Sequence, residues 1–166
     1  MAMNSTIQKG YQPGCIGQIT GLHARYYSEL VGFGMVFESK VARELAEFCL
    51  RYDDRRDGLW LARSSQGDLL GSIIIDGMQA QDHGAHLRWF IADAQARGQG
   101  LGHRLLAEAV EFCHLCGYRR VYLWTFEGLV AARHLYEKFG FRLVRQQSGS
   151  QWGVMVEEQF WELLRR

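Results

Sequence analysis

An excess of charge of one sign is missing from this chain. Its 166 residues carry 19 Lys and Arg against 18 Asp and Glu, a formal net charge of +1. No broad basic field is therefore available for nucleic acid. Long hydrophobic runs are missing as well, and the apolar stretches fall far short of a membrane span. Residues 1–14 lack the basic start and apolar centre of a signal peptide. They read as a flexible N-terminal segment or the remnant of something longer. Cysteine is scarce: Cys15, Cys49, Cys113 and Cys116. The last two form C-x-x-C inside an apolar helical pattern, no second pair completes a metal site, and Gly117 excludes the C-x-x-C-H haem motif. Free cysteine of this kind packs as a small buried hydrophobe. No metal is expected, and the lack of a disulfide framework favours a reducing, cytoplasmic compartment.

What is present suits one globular domain over residues 15–166. Hydrophobic residues make up 48% and charged residues 22%, ordinary values for a chain long enough to bury a core. A strand near Cys15–Ile19 and a short helix over 19–31 open the pattern. Val41, Leu45, Phe48 and Cys49 recur at helical spacing within a second helix over 37–52. Leu59–Ala62 and Leu69–Ile75 flank a polar, glycine-containing turn, as in an antiparallel hairpin. His86–Ile91 reads as a strand. Leu101, Leu105, Leu106, Ala109, Val110 and Cys113 share one helical face, and Gly117 stands where a helix ends. A strand over 120–125, a helix over 129–139 and two strands from Phe141 and Val154 complete the chain. The order β-α-α-β-β-β-α-β-α-β-β predicts a mixed, twisted α/β sheet.

The most informative stretch lies between the His86–Ile91 strand and the helix after it. Ala96-Arg97-Gly98-Gln99-Gly100-Leu101-Gly102-His103 carries three glycines at alternate positions. Glycines let the backbone turn without a Cβ clash, and amides at a new helix N-terminus point at bound anions. A dinucleotide fingerprint is excluded, because the place of its third glycine is His103. A P-loop is excluded because Leu101-Gly102 follow Gly100, not Lys and Ser/Thr. The spacing R-x-x-G-x-G remains, as Arg97, Gly100 and Gly102. Ligands in open α/β sheets favour such strand ends.

This loop resembles the acetyl-CoA diphosphate loop of the GNAT acetyltransferases. The likeness extends to Ala132-Arg133-His134-Leu135-Tyr136-Glu137-Lys138-Phe139-Gly140-Phe141, similar to the family's A-x-x-L-Y-E-x-x-G-F signature, and covers roughly residues 15–166. Leu123–Phe126, Ala131–Tyr136, Trp152-Gly153 and Glu158-Gln159 look like the acetyltransferase half of bacterial MarR–GNAT fusion proteins. One position departs from the pattern: Leu129 stands where many members carry an asparagine that helps hold pantetheine.

The resemblance implies a sheet of about six to seven strands with about four helices, splayed between its fourth and fifth strands. It implies acetyl transfer from acetyl-CoA to a primary amine by direct attack through a tetrahedral intermediate. Arg97, Gly98, Gln99, Gly100, Leu101, Gly102 and His103 would hold the diphosphate, with Arg133 or Arg104 in reach of the nucleotide's phosphates. An amide at Ile91 or Ala92 would face the oxyanion. Tyr136 is the family's candidate acid for the leaving thiolate. An amine of pKa about 10.4 must lose a proton before it attacks, and His86, Glu127 or a water relay could take it. Covalent catalysis by Cys113 or Cys116 finds no basic neighbour in the sequence. The acceptor stays open among small amines, amino acids and peptide amines. Tyr26, Tyr27, Phe33, Trp89 and Trp124 are candidate lining residues. No nucleic acid or membrane partner is expected, and a homodimer is left open. A non-catalytic acyl-CoA-binding sensor module is the alternative reading.

Overall fold

The computed structural model describes residues 4–96 and 98–166. Seven strands, β1 (Thr6–Lys9), β2 (Gly58–Arg63), β3 (Leu69–Asp76), β4 (Ala85–Ala92), β5 (Arg120–Phe126), β6 (Arg142–Gly149) and β7 (Val156–Leu164), form one sheet in the order β1-β2-β3-β4-β5-β7-β6. The helices are α1 (Cys15–Val31), α2 (Met35–Leu50), α3 (Leu101–Leu115) and α4 (Val130–Lys138). Every neighbouring strand pair is antiparallel except β4 and β5. That one parallel pair needs a crossover, and α3 supplies it.

The expected order of elements holds, but its start is displaced. Cys15–Ile19 is the first turn of α1, not a strand. Cys15, Ile19 and Leu22 are all buried, at a spacing of four and three residues that a helix satisfies. Gly14, at φ 90°, turns the chain just before it. The first strand is Thr6–Lys9, paired with β2 from Thr6 opposite Arg63 to Lys9 opposite Trp60. Part of the segment expected to be flexible is therefore an edge strand. It is polar and mostly exposed, which hides it from a search for apolar alternation.

Period-two alternation splits β2 and β3 between two cores. Leu59, Leu61 and Ile74 pack with Cys15, Ile19, Leu45 and Phe48 of α1 and α2. Trp60, Ala62, Ile73 and Ile75 pack on the other face with Leu101, Leu105, Leu106 and Ala109 of α3. Strands buried on both faces read as continuous apolar runs, as Leu69–Ile75 does. The opposite edge, β6, is exposed along nearly its whole length, and Arg142, Arg145, Gln146 and Gln147 keep it polar. Among the described residues no helix is long and apolar enough to cross a membrane.

Two features of β4 position the site. Ser72 lies opposite Ile91 and Ile74 opposite Arg88, so Trp89 and Phe90 together face the single residue Ile73. This is a β-bulge. Trp89 adopts φ 46°, a strained value for a bulky residue, and the Ser72 hydroxyl donates to its carbonyl at 2.8 Å. Before the bulge is reached, β4 has already parted from β5. The two strands pair only at Ala85 with Val121 and His86 with Tyr122, and the sheet opens from there.

Candidate active site

A cleft of about 350 Å³ runs into this opening. His23, Tyr27, Lys40 and Glu44 line it from α1 and α2, and His86 to Phe90 and Leu123 to Phe126 from the parting strands. Ala132 and Tyr136 of α4 close its far side, and Gln151-Trp152 its rim. A second cavity of about 250 Å³ lies across β5, lined by Glu127, Arg133 and Gln159 among others. Tyr136 borders both.

The glycine loop ends beside the cleft. Gly98 and Gly100 adopt φ 77° and 72° in open space, so left-handed backbone, not crowding, requires glycine there. Gly102 is different. It lies in the first turn of α3, and a Cβ would meet a Leu135 methyl at 3.1 Å and the Phe90 ring at 3.6 Å. Its role is close packing of α3 on α4 and β4. Gly100 caps α3 without a side-chain bond, and the first intrahelical bond runs from the Arg104 amide to the Gly100 carbonyl at 3.0 Å. The amides of Leu101, Gly102 and His103 precede that bond, at the positive end of a 15-residue helix. That donor set fits a diphosphate. Gln99 and His103 are exposed beside it, and the His103 ring lies 5.1 Å from Phe139. Arg97 lies outside the described residues. Arg104 turns away to Ser5, donating to its hydroxyl at 2.9 Å and its carbonyl at 3.1 Å. Arg133 donates to Glu137 at 3.1 Å and sits 5.7 Å from the Trp161 ring.

Of the two amides expected to face the oxyanion, the geometry favours one. Strand amides alternate in direction. The Asp93 amide donates to the Leu70 carbonyl of β3 at 2.6 Å. Ala92 N–H therefore points to the opposite edge, where β5 has departed, and Ile91 N–H points back toward Ser72.

The three candidate catalytic side chains do not meet at one point. His86 and Tyr136 share the cleft, whereas Glu127 is exposed in the second cavity. Tyr136 is 5% exposed among Phe90, Phe141 and Trp161. Burial raises its phenol far above the ordinary value, so it stays protonated. His86 stacks on Tyr122 at 4.5 Å. Burial, then Arg88 and Lys40, push its ring down to about 3 against a partial pull from Asp76. A ring so shifted is neutral at pH 7 and a poor proton acceptor. Burial likewise pushes Cys113 up to about 12, which keeps it an unreactive thiol. Among the described residues no three His, Cys, Asp or Glu side chains stand close enough to hold a metal.

Sequence reasoning missed a charged network on the α2 side. Lys40 donates to Glu44 at 2.7 Å, and Arg88 donates to the other Glu44 oxygen. Arg88 also lies 3.6 Å from Asp76, which Arg51 grips with two bonds of 3.0 and 2.6 Å. Burial works to raise the Asp76 carboxyl, but Arg51, the Met78 amide and Arg88 outweigh it and hold it below the usual range. The available signal was His86 and Arg88 at alternate positions of an otherwise apolar strand, which puts both on one face. His23 was also missed. Its Nδ1–H donates to the Ile19 carbonyl at 2.8 Å, and burial pushes the ring down to about 4.

The comparisons with known proteins agree with this geometry. The chain is 28% identical over 121 residues to the N-acetylaspartate synthetase of Danio rerio, which covers 73% of this chain but 43% of that protein. It thus spans under half the length of that relative. An acetyltransferase of the GNAT family from Staphylococcus aureus Mu50 superposes with a TM-score of 0.77 at 17% identity, covering 96% of this chain and 98% of the other. Spermidine N-acetyltransferase from Vibrio cholerae, solved with CoA and spermine, gives 0.69 at 18% identity over 96% and 95%. The model of the Acetyltransferase (GNAT) family matches residues 18–141. On that match, and with the sheet parted beside a glycine loop, the chain belongs to the GNAT acetyltransferase family.

Proposed function

We propose that the protein transfers an acetyl group from acetyl-CoA to a primary amine. The observation that carries this reading is the gap between β4 and β5, bounded by the uncapped amides of α3 and by a phenol held protonated. Acetyl-CoA supplies an activated thioester carbonyl. The amides from Gly98 to His103 hold the diphosphate, with the charge of Arg97 added. Ala92 N–H donates to the carbonyl oxygen as it gains charge, an interaction worth about 3 kcal/mol in comparable sites. The Tyr136 hydroxyl donates to the departing sulfur. Its proton is available at any physiological pH because burial disfavours the phenolate.

We assign His86 to the wall of the acceptor site, not to the base. Moving a proton from an amine of pKa about 10.4 to a ring near 3 is uphill by about 10 kcal/mol. Glu127 opens on the other cavity. Water in the cleft, or the neutral fraction of the amine, then removes the proton. Within the family we place the chain nearest the acetyltransferase half of the MarR–GNAT fusions. Of the residues that carry that likeness, Leu123 to Phe126, Ala132, Tyr136 and Trp152 line the cleft.

The test is calorimetric titration with CoA, followed by thiol release from acetyl-CoA with a panel of amines. Heat on titration, with hydrogen-exchange protection at residues 98–103 and thiol release on at least one amine, is expected. Absence of heat and protection refutes the reading. Binding without turnover on any amine selects the sensor module instead.

A further inference from the structure

The cleft carries a charge imbalance that bears on the acceptor. Three cations, Lys40, Arg88 and Arg51, are linked through only two carboxylates, Glu44 and Asp76. His86, which also faces the cleft, adds no charge because its ring is neutral. Among the groups that line the cleft itself, two are cations, Lys40 and Arg88, and one is a carboxylate, Glu44. Of the two carboxylates, only Glu44 lines the cleft, and both its oxygens are taken, one by Lys40 and the other by Arg88. A second ammonium group, of the kind a polyamine carries, would have to share Glu44 with both of these cations. Lys40 spends one of its three N–H donors on Glu44, and Arg88 has further donors beyond its bond to that residue. Free donors with surplus positive charge, only partly exposed to water, suit a carboxylate.

The bulge lies next to these cations. Arg88 bonds Glu44 on α2, and the next residue, Trp89, packs on Phe48 of the same helix at 6.0 Å between rings. The Arg88 guanidinium lies 4.1 Å from the Trp89 ring. The cation pair is thus one residue from the bulge. The remaining wall is apolar and aromatic: Phe33, Phe37 and Phe126 are packed together, with Trp152 stacked 6.1 Å from Phe33.

We propose that the acceptor is a free amino acid with a large apolar side chain, its carboxylate held by Lys40 and Arg88 and its side chain laid against the Phe126–Trp152 wall. The assignment rests on the acetyl-transfer reading and narrows it.

Thiol release from acetyl-CoA tests it with L-phenylalanine, phenethylamine (the same skeleton without the carboxylate) and spermidine. L-Phenylalanine is expected to exceed phenethylamine at least tenfold in kcat/KM and to bind the CoA-loaded protein more tightly by calorimetry. Lys40 is part-exposed on a helix, so Lys40→Gln should fold. It is expected to raise KM for L-phenylalanine about tenfold, leave that for phenethylamine within twofold, and be rescued by Lys40→Arg. Equal use of L-phenylalanine and phenethylamine overturns the assignment but leaves acetyl transfer standing. So does turnover of spermidine alone, or a Lys40→Gln that slows the two aryl substrates alike. No thiol release from any of the three, in protein that binds CoA, overturns both.

Discussion

His23 gives the sharpest test of the electrostatics. Its ring is 4% exposed and is held near 4 by burial, with the bond to the Ile19 carbonyl opposing in part. In the unfolded chain the same ring titrates near 6.5. The folded state therefore favours the neutral form. The resulting stability is complete above pH 6.5 and is lost as pH falls from there toward 4. At about 1.4 kcal/mol per pH unit the full loss is about 3 kcal/mol, of which about 2 kcal/mol has gone by pH 4.5. That is a large share of a typical domain stability of about 5–15 kcal/mol. Urea unfolding at pH 7.5 and pH 4.5 measures the loss, with His23→Phe as comparison. Carboxylates and His86 titrate in both proteins, so they cancel in the difference between the two losses. The variant should lose about 2 kcal/mol less than the wild type on acidification, whatever its absolute stability. Equal losses would show that His23 charges as easily folded as unfolded, and that the enclosure described here is wrong.

Three further outcomes follow from the site. Tyr136→Phe should lower kcat at least tenfold with KM for acetyl-CoA within twofold, because the ring packing survives and only the donor is lost; steady-state kinetics decide it. His86→Ala should leave any limb of the kcat/KM profile between pH 5.5 and 7.5 in place, since the ring titrates near 3; disappearance of the limb would return His86 to the role of base. Gly100→Ala meets no steric contact but places an L-residue at φ 72°. It should cost about 1 kcal/mol of stability and weaken CoA binding several-fold as the α3 amides shift, both read by denaturation and calorimetry.

Elements that announce themselves by local pattern were legible in the sequence. The helical stripe from Leu101 to Cys113, the apolar run of β3 and the glycine loop each lie where their periodicity places them. The strand expected at Cys15–Ile19 failed because five residues, with apolar side chains only at 15, 16 and 19, are too few to separate the two periods. Burial at Cys15, Ile19 and Leu22 decided for the helix, and that is a tertiary fact. β1 was hidden for the opposite reason, since a polar edge strand owes its existence to a partner far along the chain, Thr6 meeting Arg63 only in the folded sheet.

The same division runs through the site. Tyr136 and the amides of 98–103 belong to short contiguous stretches whose local chemistry is visible in one dimension. The acceptor side is assembled from single residues of separate elements: Lys40 and Glu44 from α2, Arg88 from β4, Asp76 from β3 and Arg51 just past α2. None of these is distinctive alone, and each would pass as a solvated surface charge. What makes them a site is that three cations share two carboxylates at the point where a bulge has turned Trp89 out of register. That sum exists only once the strand is bulged and α2 lies across it. It also explains why the unshifted titration of a histidine does not carry over to His86: burial first, then the cations around the cleft, push the ring down.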